Sequence, residues 1–273
     1  MNKKLLCLVF CTLMLCSCAS KKYKDILFKT TDDTTKELQL NVFEPRKNRT
    51  DKKPVVIFIH GGYWTEGDKD IYGFLGRNFA KHSIVTVIPS YTLSPNGNYK
   101  TMANDVVEAI KWTEKNIETY GGNPEEVYLM GHSAGGHLIA LVTTNSRYAK
   151  ETKGIKGVIL NDAAGLDMYS YLKENPPTEK YNYKTTWTEN PELWKDASPI
   201  YHLSENSPTF LIYVGEKTYA SIKTQNKSFV KELNEFQPNV KPIYLDKKHV
   251  PMMSQFFWPW NKRYDEILEF IEE

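Results

Sequence analysis

The chain has 273 residues, 41% hydrophobic and 25% charged, with a formal net charge of +2. That composition suits one soluble domain of α/β size with a substantial core. The charge is too small, and the basic residues too evenly spread, for a nucleic-acid-binding surface.

Residues 1–20, MNKKLLCLVFCTLMLCSCAS, open on Lys3 and Lys4, run apolar from Leu5 to Leu15 and end in small residues. This is the layout of a secretory signal, whose apolar run is too short to span a bilayer comfortably. Leu15-Cys16-Ser17-Cys18 resembles the bacterial lipobox. The resemblance implies a signal peptide over 1–17, cleavage ahead of Cys18 and lipidation of the Cys18 thiol. The implied location is the bacterial cell envelope, periplasmic or surface-facing, with the membrane as a partner through the lipid; an ordinary secretory signal or an uncleaved anchor is the alternative. All four cysteines (Cys7, Cys11, Cys16, Cys18) fall in this segment. Residues 19–273 therefore hold no disulfide and no thiolate metal site. Residues 18–24, with Lys21, Lys22 and Lys24, read as a tether leading to a domain over 25–273.

KDILFKT (24–30) and ELQLNVFEP (37–45) alternate apolar and polar residues, as two half-buried antiparallel strands do. The pattern then changes. Runs 54–60, 83–91, 125–133, 155–164, 208–216 and 240–246 have short β-branched apolar cores, which predicts strands buried on both faces of a parallel sheet. Helical spacing fills the intervals 71–81, 99–119, 134–147, 222–236 and 261–272; in the second, Met102, Val106, Ile110, Trp112 and Ile117 form an apolar stripe that stops at Gly121-Gly122-Asn123-Pro124. Alternating strands and helices predict a mostly parallel sheet with helices on both faces. The stretch from Leu166 to about Ser198 breaks the rhythm. It is rich in Tyr, Pro, Asn and Lys and too long for a plain connection, so it reads as an insertion: a lid or specificity cap over the strand ends, or an excursion packed on the surface.

Three segments carry chemistry. Gly131-His132-Ser133-Ala134-Gly135 fits G-x-S-x-G between a buried strand and a helix, which places Ser133 on a sharp strand-to-helix turn beside free helix N–H groups. His60-Gly61-Gly62-Tyr63-Trp64 ends an earlier strand; paired glycines let backbone N–H groups turn inward and, with the N–H of Ala134, cradle a developing oxyanion. His249 follows the last strand, where a general base reaches a serine hydroxyl. His60 and His132 fit shaping roles better than proton transfer, and Tyr63, Trp64 and His132 are candidate pocket residues.

With SYTLSP (90–95) and ASPIYHL (197–203), these motifs resemble the α/β-hydrolase fold over nearly all of residues 25–273. The nearest branch is that of carboxylesterases, feruloyl and acetyl-xylan esterase-like proteins and arylformamidases. The resemblance implies Ser133 as nucleophile, His249 as base, and Gly61, Gly62 and Ala134 as oxyanion hole. In that family the acid is usually an Asp three residues after the Gly that ends the penultimate strand. Here that position is Thr218. Asp162, at the tip of the preceding strand, and Glu216, one residue past Gly215, are the replacements to weigh, ahead of Asp167 and Asp246, and the remaining alternative is that no acid exists. Phe256-Phe257-Trp258-Pro259-Trp260 either walls a substrate group or packs the last helix.

The expected activity is a serine hydrolase on carboxylic esters with short or aromatic acyl groups, borne by small molecules or by carbohydrate, with no cofactor and no metal. An arylformamidase-like amide hydrolase is the rival within enzymes. A catalytically inactive binding module is the rival outside them.

Overall fold

The computed structural model describes residues 20–30, 37–46 and 51–273; the signal segment 1–17 and Cys18 lie outside them. Eight strands form one sheet: β1 (Ser20–Thr30), β2 (Glu37–Pro45), β3 (Lys53–Ile59), β4 (Val85–Pro89), β5 (Gly122–His132), β6 (Ile155–Asn161), β7 (Thr209–Gly215) and β8 (Ile243–Leu245). Their order is β1-β2-β4-β3-β5-β6-β7-β8. β1 pairs antiparallel with β2, and β2 with β4; every other pairing is parallel.

The first strand is longer than its sequence pattern predicts. It starts at Ser20, opposite Pro45, so residues 20–24 of the expected tether belong to the sheet. Lys22 and Lys24 both lie 3.4 Å from Asp70, and Lys21 sits over the Tyr23 ring.

The parallel strands are apolar along their length because both faces are covered. In β3, Val55, Ile57 and Ile59 face one core, while Val56 and Phe58 face the other. The first core is closed by α2 (Tyr99–Asn116), α3 (Ala134–Thr144) and a helix over Ala220–Leu233; the second is closed by α1 (Gly73–Lys81), a helix over His249–Ser254 and the last helix, Lys262–Glu272. In α2, Asn98 caps the start by accepting from the N–H groups of Lys100 and Thr101, and Met102, Val106 and Ile110 are buried as their spacing predicts. Trp112 is only partly buried and packs against Tyr120 at 5.9 Å.

β3 and β5 are neighbours whose onward connections leave to opposite sides, toward β4 and toward β6. Such a reversal opens a crevice at the carboxyl ends of the two strands. The loop starting at His60 and the turn at Ser133 occupy those two ends. The insertion folds into short helices, Met168–Glu174, Tyr183–Trp187 and Pro191–Asp196, and anchors itself by burying Trp187 completely, edge-on to Trp64 at 4.7 Å.

Candidate active site

Ser133 stands between β5 and α3 with φ 54 and ψ −121, a left-handed conformation outside the range an ordinary residue prefers. Close packing fixes this turn. A Cβ on Gly135 would lie 2.0 Å from the carbonyl oxygen of Ile59, so only glycine lets α3 start against the end of β3. Ser133 N–H is bonded to Asn161 O, and Ser133 O accepts from the N–H groups of His137 and Ala164.

The side chains of Ser133, His249 and Asp162 converge. Ser133 Oγ lies 2.9 Å from His249 Nε2, and His249 Nδ1 lies 2.6 Å from Asp162 Oδ2. Asp162 is completely buried, at φ 52 after the end of β6. Its other oxygen, Oδ1, accepts the N–H of Gly215 at 2.9 Å. Thr218 donates its hydroxyl to Asp162 Oδ2 at 2.5 Å and lies 3.4 Å from His249 Nδ1. Of the carboxylates weighed from sequence, only Asp162 meets the histidine. Glu216 is exposed, with its backbone N–H on Leu245 O. Asp167 caps the first insertion helix by accepting from Ser170 N–H, and Asp246 pairs with Lys217 at 2.6 Å.

The glycine loop lies beside the serine. A Cβ on Gly61 would come within 2.9 Å of Ser133 Cβ. Gly62 has φ 129, and its carbonyl accepts from the N–H groups of Thr65 and Glu66, which folds the loop back on itself. The first amides of α3, at Ala134 and Gly135, have no partner within the helix by the geometry of any helix start. Gly61, Gly62 and Ala134 thus lie around Ser133.

Three buried histidines near the site are each held by hydrogen bonds. His132 stacks on His249 at 4.7 Å and donates from Nε2 to its carbonyl oxygen at 3.2 Å. Burial, then the neighbouring His249 ring, push its pKa down to about 3, so it stays neutral. His60 is likewise lowered by burial, donates to Gly61 O and stacks on Tyr91. The third was not singled out in the sequence: His137 accepts from Trp64 Nε1 at 3.1 Å and donates from Nε2 to Ala197 O at 2.7 Å. It ties the glycine loop to the insertion, and burial lowers its pKa to about 4.

Two clefts meet at Ser133 and His249. One, of about 200 Å³, is walled by Tyr63, Tyr171, Tyr181, Tyr183 and Tyr219. Tyr63 stacks on Tyr181 at 4.6 Å, and its hydroxyl lies 3.3 Å from that of Tyr219. That hydrogen bond, with burial second, pushes Tyr63 up to about 12. The other cleft, of about 380 Å³, is more apolar and includes His132, Ile71, Phe74, Val250 and Phe257. Tyr63 borders both, while Trp64 is almost wholly buried behind the first. The aromatic run after His249 divides its duties: Phe256 is buried against Tyr264, Phe257 lines the second cleft, and Trp258 and Trp260 are exposed. None of the four tyrosines at 171, 181, 183 and 219 stands in a motif; their convergence is a product of the fold.

A family model described as BD-FAE matches residues 40–233. Esterase LipC of Mycobacterium tuberculosis is 30% identical over 208 residues, covering 71% of this chain and 51% of that one. A probable isoprenylcysteine alpha-carbonyl methylesterase of Arabidopsis thaliana is 28% identical over 256 residues, covering 85% of this chain and 52% of the relative. The chain thus spans about half the length of these curated relatives. Among solved structures, esterase B from Lactobacillus rhamnosis inhibited by a tributyrin phosphonate superimposes with a TM-score of 0.76 at 18% identity, covering 100% of this chain and 96% of that one. Native esterase 2 of Thermogutta terrifontis gives 0.73 at 18% identity, covering 93% and 91%. At that identity the likeness is one of fold, and the fold is that of the α/β-hydrolases.

Proposed function

The chain belongs to the BD-FAE family, and from that premise we propose that it is a serine hydrolase cleaving carboxylic esters through an acyl-enzyme on Ser133. The observation that carries the proposal is the unbroken chain of contacts from Ser133 Oγ through His249 to the buried carboxylate of Asp162, at 2.9 and 2.6 Å.

Ser133 Oγ attacks the ester carbonyl carbon as its proton passes to His249 Nε2. Asp162 accepts the Nδ1–H, which fixes the tautomer that leaves Nε2 free and stabilises the imidazolium that forms. The carbonyl oxygen becomes an oxyanion held by backbone N–H groups around Gly61, Gly62 and Ala134. When the tetrahedral adduct collapses, the C–O bond to the alcohol breaks and Nε2–H protonates the departing oxygen. A water then attacks the acyl carbon, losing its proton to Nε2; the second adduct expels Ser133 Oγ, which recovers that proton, and the acid is released. The chemistry is complete with protein groups and water.

The two clefts match the two halves of an ester. The tyrosine-walled compartment of about 200 Å³ suits a short or aromatic acyl group, and an acylated carbohydrate or a small alcohol ester supplies the rest. The names of the relatives, an esterase and a methylesterase, agree with ester chemistry. Anchorage in the bacterial envelope through Cys18 is the second part of the proposal and stands on the Leu15–Cys18 sequence. Thr218 at the usual acid position favours an inactive binding module; the carboxylate of Asp162 at 2.6 Å from His249 Nδ1 favours the enzyme.

Hydrolysis of p-nitrophenyl acetate by the purified protein tests the activity, with Ser133→Ala alongside. Turnover that drops by at least about 10⁴-fold in the variant supports the reading; equal rates in both overturn it. Ester and formanilide substrates run in parallel separate an esterase from an arylformamidase-like amide hydrolase.

A further inference from the structure

We propose that Thr218 is a positioning residue for the acid, its hydroxyl holding Asp162 on the line to His249. The inference rests on the Ser133–His249–Asp162 reading and goes beyond it.

The argument starts from the demands of a buried carboxylate. Asp162 is fully buried, and an ionised carboxylate there is tolerated only when hydrogen-bond donors surround both oxygens. Three donors do so. Gly215 N–H serves Oδ1, while Thr218 Oγ1 and His249 Nδ1 both serve Oδ2. Two of the three come from one turn, in which Thr218 N–H closes back on Gly215 O. That turn is itself pinned to the edge strand, because Glu216 N–H is bonded to Leu245 O and Lys217 N–H to Lys247 O. A Cβ on Gly215 would lie 2.6 Å from Lys247 O and 3.3 Å from Thr218 Cβ, so the turn has no slack. This one turn thus serves both oxygens, Oδ1 through the Gly215 amide and Oδ2 through the Thr218 hydroxyl.

The Thr218 hydroxyl has one hydrogen. At 2.5 Å from a carboxylate oxygen and 3.4 Å from an N–H donor, it points that hydrogen at Asp162. Its lone pairs are left toward Nδ1. Thr218 Oγ1, Asp162 Oδ2 and His249 Nδ1 thus form a small triangle, in which the hydroxyl both fixes the carboxylate and borders the imidazole. Losing it leaves Oδ2 with the histidine alone, free to rotate off the line that selects the Nδ1–H tautomer. No other role accounts for the hydroxyl: Thr218 is almost fully buried and donates nowhere else.

The experiment is a four-variant set read by ester turnover and by the rate of Ser133 labelling with a p-nitrophenyl alkylphosphonate, which does not depend on knowing the substrate. Thr218→Val is expected to lower kcat and the labelling rate at least about tenfold, as the loss of a hydrogen bond to a charged group does, with KM unchanged within about twofold. Thr218→Ser is expected to restore both to within about threefold of wild type. Thr218→Ala, which removes the hydroxyl without setting a second methyl against the turn, is expected to show the same loss and is readable even if Thr218→Val does not fold. Wild-type kcat in Thr218→Val or Thr218→Ala overturns the positioning role. Wild-type activity in Asp162→Asn is a different failure: it shows that Asp162 is not the acid, and both the triad reading and this inference fall together.

Discussion

Ser133 and Asp162 leave the sheet by the same device. His132 and Asn161 are register partners at the ends of β5 and β6, and the residue after each is left-handed, at φ 54 and φ 52. Two adjacent strand tips are thereby bent outward in parallel, and His249, entering from beyond β8, touches both side chains. An acid on β6 is as close to the histidine as one on β7 because the bend lifts it there.

This arrangement predicts that Asp162→Asn lowers kcat by up to about 10⁴-fold, by allowing the wrong imidazole tautomer. Glu216→Gln leaves kcat within about twofold. Steady-state kinetics on both variants checks the assignment; a large loss in Glu216→Gln together with none in Asp162→Asn would reverse it.

His132 lies against the base yet stays neutral, since its pKa is held near 3. His132→Gln should therefore keep the acidic limb of the kcat/KM profile, which belongs to another group, and lower kcat by less than about tenfold through the lost bond to His249 O. Rate measurements from pH 4.5 to 9 decide the matter. Disappearance of the limb would assign the titration to His132 instead.

His137 makes stability depend on pH. Its folded pKa of about 4 lies below the ordinary imidazole value of 6.5, so between those values the unfolded chain binds more protons. The contribution is complete above pH 6.5 and is lost as pH falls toward 4, by at most about 1.4 kcal/mol per pH unit. The physical cause is local: a second proton would sit on Nδ1, facing the indole N–H of Trp64. His137→Gln is expected to be less stable at pH 7 by about 1–2 kcal/mol and to flatten the dependence between pH 6.5 and 4. Urea unfolding at pH 7 and pH 4.5 measures both.

Gly135→Ala is expected to destabilise the protein by more than about 4 kcal/mol, because its methyl group meets backbone rather than a movable side chain. Gly154→Ala is the control. There the nearest atom is the end of the flexible Glu114 side chain, and a melting temperature within a few degrees of wild type is expected.

Legibility followed the range of the interactions. Strands β3 to β7 were readable because both their faces are buried, which forces continuous apolar runs such as PVVIFIH and EEVYLM. Ser133 and the glycine pair were readable because a tight turn needs small residues at fixed spacing. Asp162 was only one of several candidates, since which strand tip bends toward the histidine depends on backbone torsions that no local pattern announces. His137 and the four cleft tyrosines carry no short-range signal at all, and Thr218 was marked only by the aspartate it lacks; their contacts form only once distant segments meet. The start of β1 was misjudged for the opposite reason. Residues 20–24 are mostly exposed or half-buried, so an edge strand held by backbone pairing and lysine contacts leaves no hydrophobic alternation to read.

The early start of β1 bears on reach. Ser20 is already in the sheet, so a lipid on Cys18 would leave two residue steps of slack, about 7 Å when fully extended. On so short a leash the domain could neither travel far from the bilayer nor turn over freely. With the proposed anchor its working volume would be a shell one molecule deep, and a molecule would have to come to the membrane surface to reach Ser133.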